Sequence, residues 1–167
     1  MLCILLWSYP ILGQLMEKNS IRHLYIVGYP NDTVLKDIID LYVNIFNDAD
    51  VEFFKTRLKE NSNSLCVIAY SDNKIIGCKI GYPYNENTFY SWIGGVLPKF
   101  RQQGIATQLA KTQEDYAKEN GFTKLRTKSM NQYKPMIILN LKNGFDITNF
   151  YINTKGQTKI VFEKSLI

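Results

Sequence analysis

The chain is poor in the side chains that carry most metal and nucleophilic chemistry. It has one histidine, two tryptophans and three cysteines in 167 residues. Cys3, Cys66 and Cys78 follow no ligand spacing and His23 stands alone, so no metal site is expected. An odd, unpatterned set of cysteines suits free thiols in a reducing compartment, and a cytoplasmic location is the expectation. His23 reads as a structural residue on a strand. Long apolar runs are lacking as well. Met1 to Leu15 is apolar, but it is short for a bilayer span and is interrupted by Pro10 and Gly13. It also lacks the basic start and small-residue cleavage site of a secretory signal. Three readings of it stand side by side: an extra element packed on the domain, an anchor to a partner, or a segment ahead of a true start at Met16. There is no internal repeat, low-complexity tract or linker, so residues 19–167 read as one domain behind an extension over residues 1–18.

What the chain does have is unevenly placed charge. Residues 1–98 hold 8 Lys/Arg against 10 Asp/Glu, and residues 99–167 hold 12 against 5, which makes the net +5. The plain reading is a solvated surface. The functional reading is a polyanion partner, either a phosphate-bearing cofactor or nucleic acid. With no recognition helix and no aromatic–basic RNA signature, nucleic acid is the weaker of the two and is not an expected partner.

The second asset is the stretch from Val96 to Thr107. An apolar run, Phe89 to Leu97, is rich in aromatic and β-branched residues and predicts a strand. Ile105, Leu109, Thr112 or Gln113, and Tyr116 recur at helical spacing, predicting a helix over 104–120 with Gly121 as its C-terminal cap. Between them lies a turn with Arg101, Gly104 and Ala106. A helix start offers unpartnered N–H groups and a positive dipole end, and glycine lets a ligand approach the backbone. The turn therefore reads either as an anion cradle or as an ordinary strand–turn–helix connection.

The remaining elements follow in order. Ile21 to Val27 predicts a strand, and Asp32–Thr33 the cap of a helix running to Asn47. A second helix covers Val51 to Glu60 with Phe53, Phe54 and Leu58 inward. Asn47, Asp48, Asp50 and Glu52 between and within these helices read as caps or as a lure for a cationic amine. Leu65 to Tyr70 and Lys74 to Tyr82 predict a hairpin in which Cys66 lies opposite position 79, so that Cys66 and Cys78 face opposite sides. Thr123 to Ser129 predicts another strand, Met136 to Lys142 a short helix, and Phe145 to Ile152 with Thr158 to Leu166 a closing hairpin.

Val96-Leu97-Pro98-x-x-Arg101-x-x-Gly104-Ile105-Ala106 resembles motif A of the GNAT superfamily of acetyl-CoA-dependent N-acetyltransferases. Asn131 through Asn140 to Gly144-Phe145 resembles that superfamily's motif B. The order strand, two helices, three antiparallel strands, helix, strand, helix, two strands is similar to the GNAT fold from Ile21 onward. The resemblance implies an α+β fold with a mixed, mostly antiparallel central sheet flanked by helices. It implies an N-acetyltransferase domain that moves an acetyl group from acetyl-CoA, the co-substrate, to a primary amine of a small molecule or peptide. It implies that Val96 and Leu97 hold the pantetheine arm on a splayed strand, with nearby amides polarising the thioester. Gln102, Gln103, Gly104, Ile105, Ala106 and Thr107 would hold the pyrophosphate through backbone amides, and Arg101 would support the phosphates or the turn. Gly94-Gly95 suits a bulge or a close backbone approach. No membrane partner is implied, and homodimerisation stays open.

The usual proton carriers are not where the resemblance puts them. Asn140 occupies the motif B position often held by a tyrosine, and Asn cannot give up and regain a proton as a phenol does. Tyr133 is a substitute candidate, or else part of the aromatic core. No carboxylate stands on the central strand; Tyr90 and Trp92 share a face there and suit an acceptor floor, Tyr90 is also a catalytic candidate, and Glu86 is a distant carboxylate. Asn131 is a candidate to bond the cofactor or acetyl region, or to cap a helix. The alternative to an enzyme is a CoA-binding module of the same fold with little or no catalysis.

Overall fold

The computed structural model describes residues 21–167, so the expectations for Met1 to Leu15, a start at Met16 and Cys3 lie outside the described residues. Along the described chain come β1 (Arg22–Val27), α1 (Asp32–Ile45), α2 (Val51–Glu60), β2 (Leu65–Ser71), β3 (Lys74–Pro83) and β4 (Thr88–Val96). They are followed by α3 (Ile105–Glu119), β5 (Lys124–Met130), α4 (Lys134–Lys142), β6 (Asp146–Ile152) and β7 (Thr158–Ser165). The strands make one sheet in the order β1-β2-β3-β4-β5-β7-β6. Every neighbouring pair is antiparallel except β4 and β5. This is the expected α+β arrangement, with the expected element order.

The helices form a layer on each face. Leu35, Ile38 and Leu41 of α1 and Phe54 and Leu58 of α2 bury against Ile68 and Ile80 on one side. On the other, Ile105, Leu109 and Ala117 of α3 bury against Val67, Ile76 and Phe89. Phe54 and Leu58 are four apart and share one stripe of α2, whereas Phe53, a helical step of about 100° away, is 54% exposed rather than inward. The cap of α1 is Asn31, one residue before the expected pair. Its side chain accepts from Val34 N at 3.0 Å while its carbonyl accepts from Leu35 N at 2.8 Å. Asp50 caps α2 by accepting from Phe53 N at 2.9 Å.

The β2–β3 hairpin corrects one expectation. Asp72 and Asn73 take φ of 49° and 61°, as a tight hairpin turn requires. The register then shifts between Ala69 and Tyr70, adding one residue to β3. Cys66 consequently pairs with Ile80, and Cys78 with Ile68, so both thiols face the α1–α2 layer instead of opposite sides. A single bulge inverts every side chain beyond it. Both thiols are free, and burial pushes each up to about 12.

Candidate active site

The site begins where β4 and β5 part. Thr88–Ser91 pair with Lys124–Thr127, and the last rung is reinforced by the Thr127 hydroxyl, which donates to Ser91 O at 2.8 Å. Beyond it β4 runs on to Val96 held only by β3, and β5 runs on to Met130 held only by β7. The cause is local. Ser91 pairs with Gly81 and Ile93 with Ile80, leaving Trp92 as an extra residue that bends β4 away from β5. The bulge therefore lies at Trp92, not at Gly94–Gly95. Gly95 serves the close approach instead, because a Cβ there would come within 2.9 Å of the Ile45 side chain.

The open edge of β4 is a row of backbone groups. Leu97 N donates to Ile76 O at 2.9 Å, so its amide is spent within the sheet, contrary to expectation. By the alternation of an antiparallel ladder, Gly94 and Val96 turn their N–H and C=O toward the gap. Val96 O accepts from Arg101 Nε at 3.0 Å, which pins the following turn to the strand. Arg101 thus supports the turn itself.

After a 3-10 turn over Pro98–Phe100, the chain enters α3 through Gln102 and Gly104, whose φ are 61° and 77°. Gly104 fills the cap position and provides no side-chain bond. The first helical amide with a partner is Gln108 N, which donates to Gly104 O at 3.0 Å. Among the described residues no acceptor meets the amides of Gln102, Gln103, Gly104, Ile105, Ala106 or Thr107. Open space surrounds the position of a Gly104 Cβ. Ile105 sends its side chain into the core and leaves only its amide to the turn. The cavity here is lined by Val96, Phe100, Arg101, Gly104, Ala106 and Leu139. Oriented amides at a helix start suit a phosphate group, and the fork suits an extended amide-bearing arm. The donors of the turn and the open strand edge fit, in kind, the phosphates and amides of acetyl-CoA.

The catalytic candidates fare differently. Tyr133 donates its hydroxyl to Asp48 Oδ1 at 3.1 Å and sets its ring edge-on to Phe46, 6.3 Å away. Burial first, and the Asp48 charge with it, hold that phenol above the usual tyrosine range. The Asp48–Tyr133 bond joins the α1–α2 loop to the segment after β5. In the acidic cluster Asp50 caps α2, Asp48 accepts from Tyr133 and Glu52 pairs with Lys55. Asn131 is exposed, and its side chain caps neither the turn it opens nor α4. Tyr90 stands on the paired half of β4, opposite Arg126. Burial raises its phenol far above the usual range, and the neighbouring Tyr82 and Tyr151 add to this. Glu86 lies in the loop before β4, at the end remote from the fork. His23 is exposed on the edge strand β1.

Tyr90 and Trp92 do share a face, each packing on Tyr82 with centroids 5.4 and 6.0 Å apart. Cations rim this aromatic wall. Arg57 Nε donates to Tyr82 Oη at 3.0 Å, and Lys128 Nζ donates to Tyr151 Oη at 3.0 Å and lies 5.9 Å from the Tyr90 centroid. Neither has a carboxylate partner among the described residues. Sequence reading also passed over Lys79, which arches across Gly94 beside the fork. Its signal was the alternation Gly77-x-Lys79-x-Gly81, a lysine on a strand face otherwise stripped of side chains.

The described residues contain no helix long and apolar enough to cross a membrane. Comparison with known proteins agrees with the geometry. The model of the acetyltransferase (GNAT) family matches residues 31–145, more than half of the chain. No curated protein matches. A GNAT-family protein from Desulfovibrio desulfuricans is 16% identical, with a TM-score of 0.73 over 89% of this chain and 100% of its own. A GNAT acetyltransferase from Elizabethkingia anophelis, solved with acetyl-CoA bound, is 24% identical, with a TM-score of 0.71 over 87% of this chain and 97% of its own. A ribosomal-protein alanine N-acetyltransferase from Escherichia coli is 14% identical, with a TM-score of 0.71 over 87% and 94%. Motif, fork and family model converge: the chain belongs to the GNAT acetyltransferase family, whose co-substrate is acetyl-CoA.

Proposed function

We propose that the protein transfers the acetyl group of acetyl-CoA to a primary amine of a small molecule or peptide. The observation that carries this is a pair of unpartnered backbone donor sets, one on the open edge of β4 at Gly94 and Val96 and one at the amides of Gln102 to Thr107. The turn amides and the dipole of α3 bind the diphosphate. Gly94 and Val96 align the pantetheine amides, Leu97 supports that arm through its side chain, and Arg101 holds turn and strand together. Asn131, exposed and uncommitted where β5 ends, is placed to bond the arm or the acetyl group. Val96 N–H is the donor available to a polarised thioester oxygen. Rate enhancement then comes chiefly from holding amine and carbonyl together in a fixed geometry.

The acceptor side favours a particular kind of amine. Arg57 and Lys128 make the aromatic wall cationic, which disfavours a polyamine and favours an amine that also carries a carboxylate or phosphate. With no carboxylate on β4, the amine reacts from its neutral fraction or loses its proton to water.

Calorimetry with acetyl-CoA, followed by thiol release against a panel of amines with and without an anionic group, tests both statements. Tight binding together with turnover of anionic amines is the expected outcome. Binding without any thiol release would instead favour a CoA-binding module, and faster turnover of polyamines would overturn the acceptor assignment.

A further inference from the structure

Lys79 sits in the middle of the sheet, between Val67 on β2 and Gly94 on β4. It faces α3, and so do its neighbours Gly77 and Gly81. A Cβ at Gly77 would lie 3.3 Å from Leu109 Cδ1, and one at Gly81 would lie 2.8 Å from Gln113 Nε2. The lysine is thus flanked on its own strand by two glycines that pack directly under Leu109 and Gln113. It leaves sideways across β4, with Cγ and Nζ 3.4 and 3.5 Å from where a Gly94 Cβ would stand. A Cβ at Gly94 would come into contact with the lysine along that path.

The ammonium has no carboxylate and no hydrogen-bond acceptor among the described residues. The surrounding elements bring it no charge: β2 offers Val67, β4 offers Gly94, and α3 offers Leu109 and Gln113. The Cys78 thiol on its own strand is the one titratable group acting on it, and burial outweighs that contact to pull Lys79 down to about 8. The same side of the sheet collects other buried polar atoms without partners. They are both amide atoms of Gln113, Ser91 Oγ, Ser129 Oγ and Asn140 Nδ2. Buried polar groups are rarely left unmet, so a cluster of them marks a place that water or a ligand completes.

Resting on the transferase function proposed above, we infer that Lys79 is the proton donor to the departing CoA thiolate, the role for which Asn140 has no exchangeable acid. The amine nitrogen attacks the thioester carbonyl carbon and forms the C–N bond. The C–S bond breaks with its electron pair on sulfur, and the Lys79 ammonium proton passes to that sulfur to give the thiol. The proton shed by nitrogen as the amide forms returns to Lys79 through solvent. A donor near 8 is well matched to a thiol whose ordinary value is about 8.5.

The test uses the full chain, with Lys79→Met and Lys79→Arg, measuring thiol release from pH 6 to 10 and acetyl-CoA affinity by calorimetry. Lys79→Met lowers kcat by about 100-fold or more, the usual scale of lost acid catalysis, while acetyl-CoA affinity holds within about threefold. The wild-type kcat falls above about pH 8, as the donor loses its proton, and Lys79→Met lacks that fall. Lys79→Arg keeps the charge but does not release a proton, so it does not restore the rate. Wild-type kcat and pH dependence in Lys79→Met, or full rescue by Lys79→Arg, would overturn the assignment. A wild-type chain that binds acetyl-CoA but releases no thiol with any amine is a different failure, that of the transferase reading itself.

Discussion

The two halves of β4 have the same neighbour on one side and opposite fates on the other. Thr88–Ser91 are bonded to both β3 and β5; the residues after Ser91 are bonded to β3 alone. The paired half is sealed, with Thr88, Phe89 and Ser91 buried, and next to it lies an open surface depression between Asn85 and Lys124. The unpaired half leads straight into the cavity at the start of α3. A sheet normally satisfies its backbone within itself. Here the sheet forgoes several ladder bonds, and the groups left over are those a CoA arm can use. The open edge is thus an interruption of regular structure, placed by one bulge and flanked by β3 and β7.

This contrast is sharpened most by Gly104→Val. A β-branched residue at φ 77° is strained, and its side chain would fill the open space over the turn amides. Acetyl-CoA affinity by calorimetry is expected to fall by about 100-fold or more, the equivalent of about 2.7 kcal/mol. An unchanged affinity would remove the diphosphate from this turn. Gly95→Val acts on the fold of the same half instead. Its side chain would collide with Ile45, and overpacking of this kind costs about 1–3 kcal/mol. Tm should drop, and Ile45→Ala in the same chain should recover part of the loss. Recovery would be absent if Gly95 mattered for some other reason.

Arg101→Leu removes the Nε bond to Val96 O and loosens the turn from the strand. About a tenfold loss of acetyl-CoA affinity is expected, or about 1.4 kcal/mol, with little change in Tm. The smallest effect belongs to the fork point. Thr127→Val deletes the hydroxyl donated to Ser91 O on the last rung. A destabilisation of about 1 kcal/mol follows in denaturant unfolding. Faster hydrogen exchange should appear in the Ser91–Thr127 pair and not in the β3–β4 ladder. Uniform loosening of both would mean the rung is not what ends the paired half.

Much of this was legible in the chain. The strand–turn–helix around Gly104 follows from apolar periodicity and a glycine where φ is positive, both local properties. The element order followed in the same way. The register did not, because a bulge is decided by two strands together. Nothing in Leu65 to Pro83 alone says that Ala69–Tyr70 slips by one, and the two cysteines were placed on opposite faces for that reason. The surroundings of the catalytic candidates were hidden for a related cause. Tyr133 has the right chemistry in the sequence, but its proton is committed to Asp48, which is distant in the chain and adjacent in space. Lys79 looked like one more surface lysine. Only the glycines on two strands and the packing of α3 over them make it a half-buried cation beside the fork.

The sequence by itself determined the elements, their order, the exposed helix start and the family, since these depend on short-range periodicity, caps and spacing. Tertiary structure alone decided where β4 leaves β5, which amides remain without partners, and which lysine is half-buried beside the open strand. Those are outcomes of pairing and burial between distant segments, and no single segment encodes them.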